Sequence, residues 1–127
     1  MAETFTILFV DDDDLVRAPL AALLTLHGMR VLTALNAIEA MRVLALERVD
    51  VLFTDIVMPG QDGIELAKQA KQLQPHLRVV FATAYFSRAA SAEQFGKLLF
   101  KPLRAEEVKA ALDAVLADKS PPRDDPR

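Results

Sequence analysis

Three short apolar, β-favouring runs in this chain each end on an acid or a hydroxyl, and a fourth ends on a lysine. Residues 6–10 lead into four consecutive acids, Asp11 to Asp14; residues 51–53 lead to Asp55; residues 79–82 lead to Thr83; and residues 98–100 lead to Lys101. If these ends meet, carboxylates crowded together repel unless a cation joins them. Several acids with no His or Cys among them suit a hard, oxygen-preferring ion such as Mg²⁺, held at about 2.0–2.1 Å with some of its waters retained. An Asp beside such an ion can act as a nucleophile toward phosphorus. A lysine and a hydroxyl donor would then steady the charge on a transferring phosphoryl group. Taken singly, each residue has a plainer reading: Asp55 as a loop cap, Thr83 as a strand-end hydroxyl, Lys101 as a surface charge, Asp13 and Asp14 as helix-capping acids. His27 and His76 read as surface or helix-end residues, not as ligands.

The elements that would bring these ends together are legible as strands alternating with helices. Val51, Leu52 and Phe53 form an unbroken apolar run too short for a helix, which marks a strand buried on both faces. After the acidic run, Val16, Leu20, Leu23, Leu24 and His27 fall at helical spacing, and Gly28 is a stop signal. Pro19 predicts that this helix starts nearer Ala18 or kinks, because proline lacks the N–H that a helix interior needs. A strand is expected at 31–34. Asn36 with Glu39, and Asp62 with Glu65, are capping patterns that open the second and third helices. Their inner stripes are Ala37, Ala40, Met41 and Leu44, and Leu66, Ala67, Ala70 and Leu73. Residues 87–96 are small and polar, a short helix at best. Val108, Leu112, Val115 and Leu116 give a closing helix its buried face. Five such alternations predict an α/β fold, a three-layer sandwich around a parallel sheet, since each crossover must return over one face. We expect one domain over residues 4–117 and a disordered tail or linker stub at 118–127, where proline is the most apolar residue present.

Composition narrows the classes further. The 127 residues are 52% hydrophobic and 26% charged, with a net charge of −3 and no cysteine. That excludes disulfides and thiolate metal sites, and argues against direct nucleic-acid binding, which draws on a basic face. No apolar run reaches the length of a membrane span and no leader precedes the first strand, so the expected location is cytoplasmic, with no membrane partner. The glycines form neither a dinucleotide fingerprint nor a Walker loop.

Asp55, Met58-Pro59 and Asp62-Gly63 together resemble the phosphoacceptor segment of receiver domains, the phosphorylatable modules of two-component response regulators. The match runs from about Ile7 to Leu116. The resemblance implies a flavodoxin-like, doubly wound, five-stranded sheet of order 2-1-3-4-5 with five helices. It implies Asp55 as the phosphoacceptor, and Asp11, Asp12, Asp55 and the Val57 carbonyl as ligands of Mg²⁺, with Asp12 the more direct of the acidic pair. Thr83 is then the switch hydroxyl and Lys101, before Pro102, the phosphate-binding lysine. The implied donor is a sensor histidine kinase or histidine phosphotransfer protein, and the output is contact with a downstream protein. Such a domain is no separate enzyme, though it assists its own phosphorylation and dephosphorylation. Leu98 stands where receivers usually carry Tyr or Phe, and the segment between Thr83 and Lys101 is short, so the fourth helix is expected to be short or partly unwound. Phe81 to Tyr85, Phe-Ala-Thr-Ala-Tyr, is similar to the Phe-Ala-Thr-Gly-Tyr motif of a mostly stand-alone receiver subfamily. Two other readings stand beside this one: a haloacid-dehalogenase-like phosphatase using Asp11 and Asp13 as its DxD pair, and a pseudo-receiver that binds partners without phosphorylation.

Overall fold

Each predicted strand exists, and all five lie parallel in one sheet. The computed structural model describes residues 4–85 and 89–117. In chain order the elements are β1 (Thr6–Val10), α1 (Asp14–Leu26), β2 (Arg30–Ala34), α2 (Ala37–Leu46), β3 (Val51–Asp55), α3 (Gly63–Leu73), β4 (Arg78–Thr83), α4 (Ala89–Glu93), β5 (Lys97–Phe100) and α5 (Ala105–Ala117). The sheet order is β2-β1-β3-β4-β5. The expected flavodoxin-like, doubly wound arrangement is the one found, and the expected tail at 118–127 lies outside the described residues.

The period-two alternation of side chains splits the central strands between two cores. Leu8, Val10, Leu52, Val79 and Phe81 pack with α2 and α3 through Ala40, Leu44, Leu66, Ala67 and Ala70. Ile7, Phe9, Val51, Phe53 and Val80 pack with Leu24 of α1 and with Val108, Ala111 and Leu112 of α5. This is why β1 and β3 are buried along their whole length, and why their sequences run apolar without a break. Phe9 and Phe53 meet edge-to-face with centroids 5.0 Å apart, a favoured aromatic geometry across neighbouring strands.

One residue ties the sheet together at the end remote from Asp55. The Asp50 side chain accepts the Thr6 N–H at 2.8 Å, its own N–H donates to the Thr6 carbonyl at 2.8 Å, and its carbonyl accepts the Arg78 N–H at 2.9 Å. Asp50 thus joins β1, β3 and β4 where all three begin.

The helix caps follow the sequence. Asn36 accepts from the Glu39 N–H, and Asp62 from the Glu65 N–H. Gly28 follows α1 with φ of +85°, a left-handed turn that glycine enters without a Cβ clash. Pro19 is a correction. It lies inside α1, which begins at Asp14, not near Ala18. Asp13 caps that start by accepting the Leu15 N–H at 2.9 Å. The carbonyl that loses its helical partner to Pro19 belongs to Leu15, a residue 85% exposed, where water can replace the missing donor. Leu73, expected on the inner stripe of α3, is half exposed. The buried stripe starts earlier, at Ile64, and Leu73 closes the last turn. α4 is five residues long, the short helix expected. No helix among the described residues is long and apolar enough to cross a membrane.

Candidate functional site

Parallel pairing puts every strand's C-terminal end on one edge. The register pairs Val10 with Thr54 and Asp55 with Ala82. Asp11, Asp55 and Thr83 therefore lie side by side, each just at or past a strand terminus. Lys101 joins them from just past β5, where its N–H donates to the Thr83 carbonyl at 2.8 Å.

Three carboxylates converge there. Asp11, Asp12 and Asp55 each offer an oxygen within 4.8 Å of the others. Asp11 and Asp55 are buried, and Asp12 is exposed. The Lys101 ammonium bridges the two buried acids, 3.0 Å from Asp11 Oδ2 and 2.9 Å from Asp55 Oδ2. Asp11 Oδ1 accepts the Asp13 N–H at 2.9 Å, and Asp55 Oδ1 accepts the Val57 N–H at 3.2 Å. Both oxygens of Asp11 are thus engaged by the protein, whereas Asp12 is the exposed acid of the three. A set of carboxylates without nitrogen or sulfur donors fits a hard dication such as Mg²⁺.

The electrostatics follow from burial and crowding. Burial pushes the Asp55 carboxyl above its ordinary value; the Lys101 ammonium opposes that rise, and the neighbouring Asp11 charge adds to it. For Lys101, burial works against the charged form, but the bonds to Asp55 and Asp11 outweigh it and hold the ammonium above its ordinary value. The 2.9 Å contact marks the pair as ionic. One ammonium is nevertheless shared between two acids, so Asp55 keeps an incompletely neutralised carboxylate with room for further positive charge.

Thr83 is fully buried, and its hydroxyl oxygen accepts the Tyr85 N–H at 3.0 Å. That bond leaves the hydroxyl proton free to point elsewhere. Asp13 stays out of the acid cluster, with its carboxylate on the cap of α1. The phosphatase reading needs Asp13 in the cluster, and the geometry disfavours it. Leu98 is half-buried and packs against the α2/α3-side core, so no aromatic ring occupies that position.

Two contributors were not foreseen from sequence. Gly63 opens α3 directly over the end of β3: a Cβ there would lie 2.1 Å from the Asp55 carbonyl oxygen. Its N–H donates to the Ile56 carbonyl at 2.7 Å. The Asp62-Gly63 pair announced a turn, but nothing local announced how close the helix comes. Arg17 reaches back from α1 to donate to the Asp11 carbonyl at 2.6 Å, and it pairs with Asp14. The spacing of Asp14 and Arg17, three apart on a helix, was its available signal.

Comparison with known proteins agrees with this geometry. A family model described as the response regulator receiver domain matches residues 7–113. Sporulation initiation phosphotransferase F of Bacillus subtilis (strain 168) is 31% identical over 118 residues, covering 90% of this chain and 95% of that protein. The DNA-binding transcriptional regulator NtrC of Escherichia coli (strain K12) is 38% identical over 112 residues, which is 85% of this chain but only 24% of the regulator. The chain spans about a quarter of the length of such transcriptional regulators. Among solved structures, response regulator TrrA from Thermotoga maritima, in complex with Mg²⁺-BeF, superposes with a TM-score of 0.81 at 26% identity, covering 88% of this chain and 99% of that one.

Proposed function

Because this chain belongs to the response regulator receiver domain family, we propose that it accepts a phosphoryl group on Asp55 from a phosphohistidine donor and signals by changing its protein contacts. The observation that carries this reading is the placement of Asp55, buried at a strand end, within hydrogen-bonding distance of Lys101 and beside Asp11 and Asp12. An Asp55 carboxylate oxygen attacks phosphorus, the P–O bond forms as the P–N bond to the donor imidazole breaks, and the imidazole leaves. Lys101 and the Thr83 hydroxyl are the groups placed to hold oxygens of the incoming phosphoryl group. Asp11, Asp12, Asp55 and the Val57 carbonyl would hold Mg²⁺. That ion, when bound, supplies positive charge that offsets repulsion between the anionic donor and the acids. In this reading the domain assists its own phosphorylation and its own hydrolytic reset.

A partner's histidine must reach Asp55 across an accessible face, and an apolar groove adjoins the site. It is lined by Leu15, Pro19, Leu20 and Leu23 of α1 with Pro102 and Leu103, and Lys101 belongs to both groove and site. We assign this groove to docking of a helix from the sensor kinase or histidine phosphotransfer protein, with Leu15, 85% exposed, as its apolar contact.

The switch runs through Thr83. Leu98 has no ring to turn inward, so movement of Thr83 toward the phosphoryl group is passed to Tyr85 through the bond between the Tyr85 N–H and the Thr83 hydroxyl. The loop that begins at Ala84 is the output surface. The test of the whole reading is intact-protein mass spectrometry after incubation with acetyl phosphate and Mg²⁺. One phosphoryl group per chain is expected, absent from Asp55→Asn and absent without the divalent ion. Uptake undiminished in Asp55→Asn would refute the assignment.

A further inference from the structure

Asp11 is gripped from three sides. Asp13 N–H takes one carboxylate oxygen and the Lys101 ammonium takes the other, while the Arg17 guanidinium holds the backbone carbonyl at 2.6 Å. Asp13 and Lys101 have other duties, as helix cap and phosphate-binding residue. Arg17 has none in the chemistry, yet it is largely buried, with its side chain 15% exposed. Side chains in the first turns of a helix lean back toward its N-terminus. Arg17 therefore lies over the loop that precedes α1 and joins Asp11 to Asp14, with Asp12 and Asp13 held between its two partners.

We infer that Arg17 is a positioning residue for the cation site, fixing the acidic loop in the conformation from which Asp12 reaches an ion shared with Asp55. The inference rests on reading the Asp11, Asp12 and Asp55 cluster as that site. Four adjacent like charges favour an opened loop, and Asp12, being exposed, has no packing to hold it in place. A planar guanidinium can serve the carbonyl and the carboxylate at once, in fixed geometry; a lysine carries the charge without that fork. Position and charge also predict opposite outcomes. A cation near a dication site weakens binding by repulsion, so if Arg17 acted by charge alone, its neutralisation would tighten the site. If it acts by position, both neutralisation and replacement by lysine weaken it.

The experiment compares the full chain with Arg17→Lys and Arg17→Gln in calorimetric titration with Mg²⁺, alongside amide hydrogen exchange at Asp13 in metal-free protein. Both substitutions should raise the Kd for Mg²⁺ about tenfold, the low end for residues that orient metal ligands. The Asp13 amide, which bonds Asp11, should exchange faster in both, with Phe53 in β3 unchanged. That local pattern separates positioning from general loss of stability. Arg17→Lys with the wild-type Kd, or Arg17→Gln binding more tightly, overturns the inference while leaving the cation site standing. If wild-type protein binds no Mg²⁺, the site reading fails and this inference with it. If Arg17→Gln does not fold, Arg17→Lys alone decides.

Discussion

Gly63→Ala places one methyl group where the structure has no room. The new Cβ would lie 2.1 Å from the Asp55 carbonyl oxygen and 3.0 Å from both the Asp55 carbonyl carbon and the Ile56 Cα. All three are backbone atoms, so no side-chain rotation relieves the overlap. Reaching ordinary contact requires the start of α3 and the end of β3 to separate by roughly 1.3 Å. That movement stretches the 2.7 Å bond from the Gly63 N–H to the Ile56 carbonyl, a loss of about 0.5–1.5 kcal/mol. Forced overpacking adds about 1–3 kcal/mol. The less flexible unfolded chain returns about 0.4–1 kcal/mol, which leaves a net destabilisation of about 0.5–4 kcal/mol, centred near 2. A domain of typical stability, about 5–15 kcal/mol, survives this, so the variant can be assayed. Because the displaced carbonyl belongs to Asp55, the proposed phosphoacceptor, the rate of phosphorylation by acetyl phosphate should fall as well, by on the order of 100-fold for a shift near 1 Å. Urea denaturation and time-resolved mass spectrometry measure the two effects. Gly28→Ala is the control: nothing lies within 4 Å of its Cβ, so it should cost about 1–2 kcal/mol of left-handed strain at the wild-type rate. Stability within about 0.5 kcal/mol of wild type and a rate within about twofold for Gly63→Ala would refute the reasoning.

Lys101→Met leaves Asp11 and Asp55 facing each other and should lower metal-free stability by about 2–3 kcal/mol, below the usual loss for a broken buried pair because Lys101 is partly exposed. The folded-state pKa of Lys101 is raised, so its stabilisation is complete below the ordinary lysine value of 10.5 and is lost as pH climbs through the raised value. Urea midpoints of the two proteins should therefore differ through neutral pH and converge in strong alkali. Asp55→Asn should stabilise the metal-free protein at neutral pH, because the acid's folded pKa is raised and its ionisation opposes folding. That gain should fade as pH falls toward 3.8, which denaturation at pH 7 and pH 4 checks. Asp12→Ala should abolish Mg²⁺ binding in calorimetry, whereas Asp13→Ala should keep it and lose about 1 kcal/mol of stability with its helix cap. Tyr85→Ala should erase the beryllofluoride-dependent change in partner affinity and Leu98→Ala should preserve it; the reverse pattern would place the signal in β5.

The sheet was legible because its signals are local and repeated. Val51 to Phe53 cannot be anything but a buried strand in this context, and Asn36 and Asp62 announce their helices by the acids three residues on. The convergence of Asp11, Asp55, Thr83 and Lys101 on one edge was legible because each ends such a strand. What escaped the sequence depends on distances between elements. Gly63 looks like any turn glycine until α3 is laid over Asp55. Arg17 looks like a surface charge until α1 starts at Asp14 and turns its second residue set toward the acidic loop. Pro19 misled about where α1 starts because a propensity rule weighs the missing N–H and not the cap that Asp13 supplies ahead of Asp14. Leu73 misled because helical periodicity marks a face and does not tell where along the helix its burial stops.

Asp50 holds β1, β3 and β4 together at the end opposite the acids, and this has a consequence for engineering. A parallel strand that slips by one residue turns every side chain to the wrong face, so an anchor at this end bears on how the residues of the candidate site line up at the other. The domain is in effect a ruler clamped at one end, and its marks at the other end can be re-inked without moving the scale. Acids, hydroxyl and lysine could be exchanged for a different set of functional groups, and the replacements would arrive already aligned with one another.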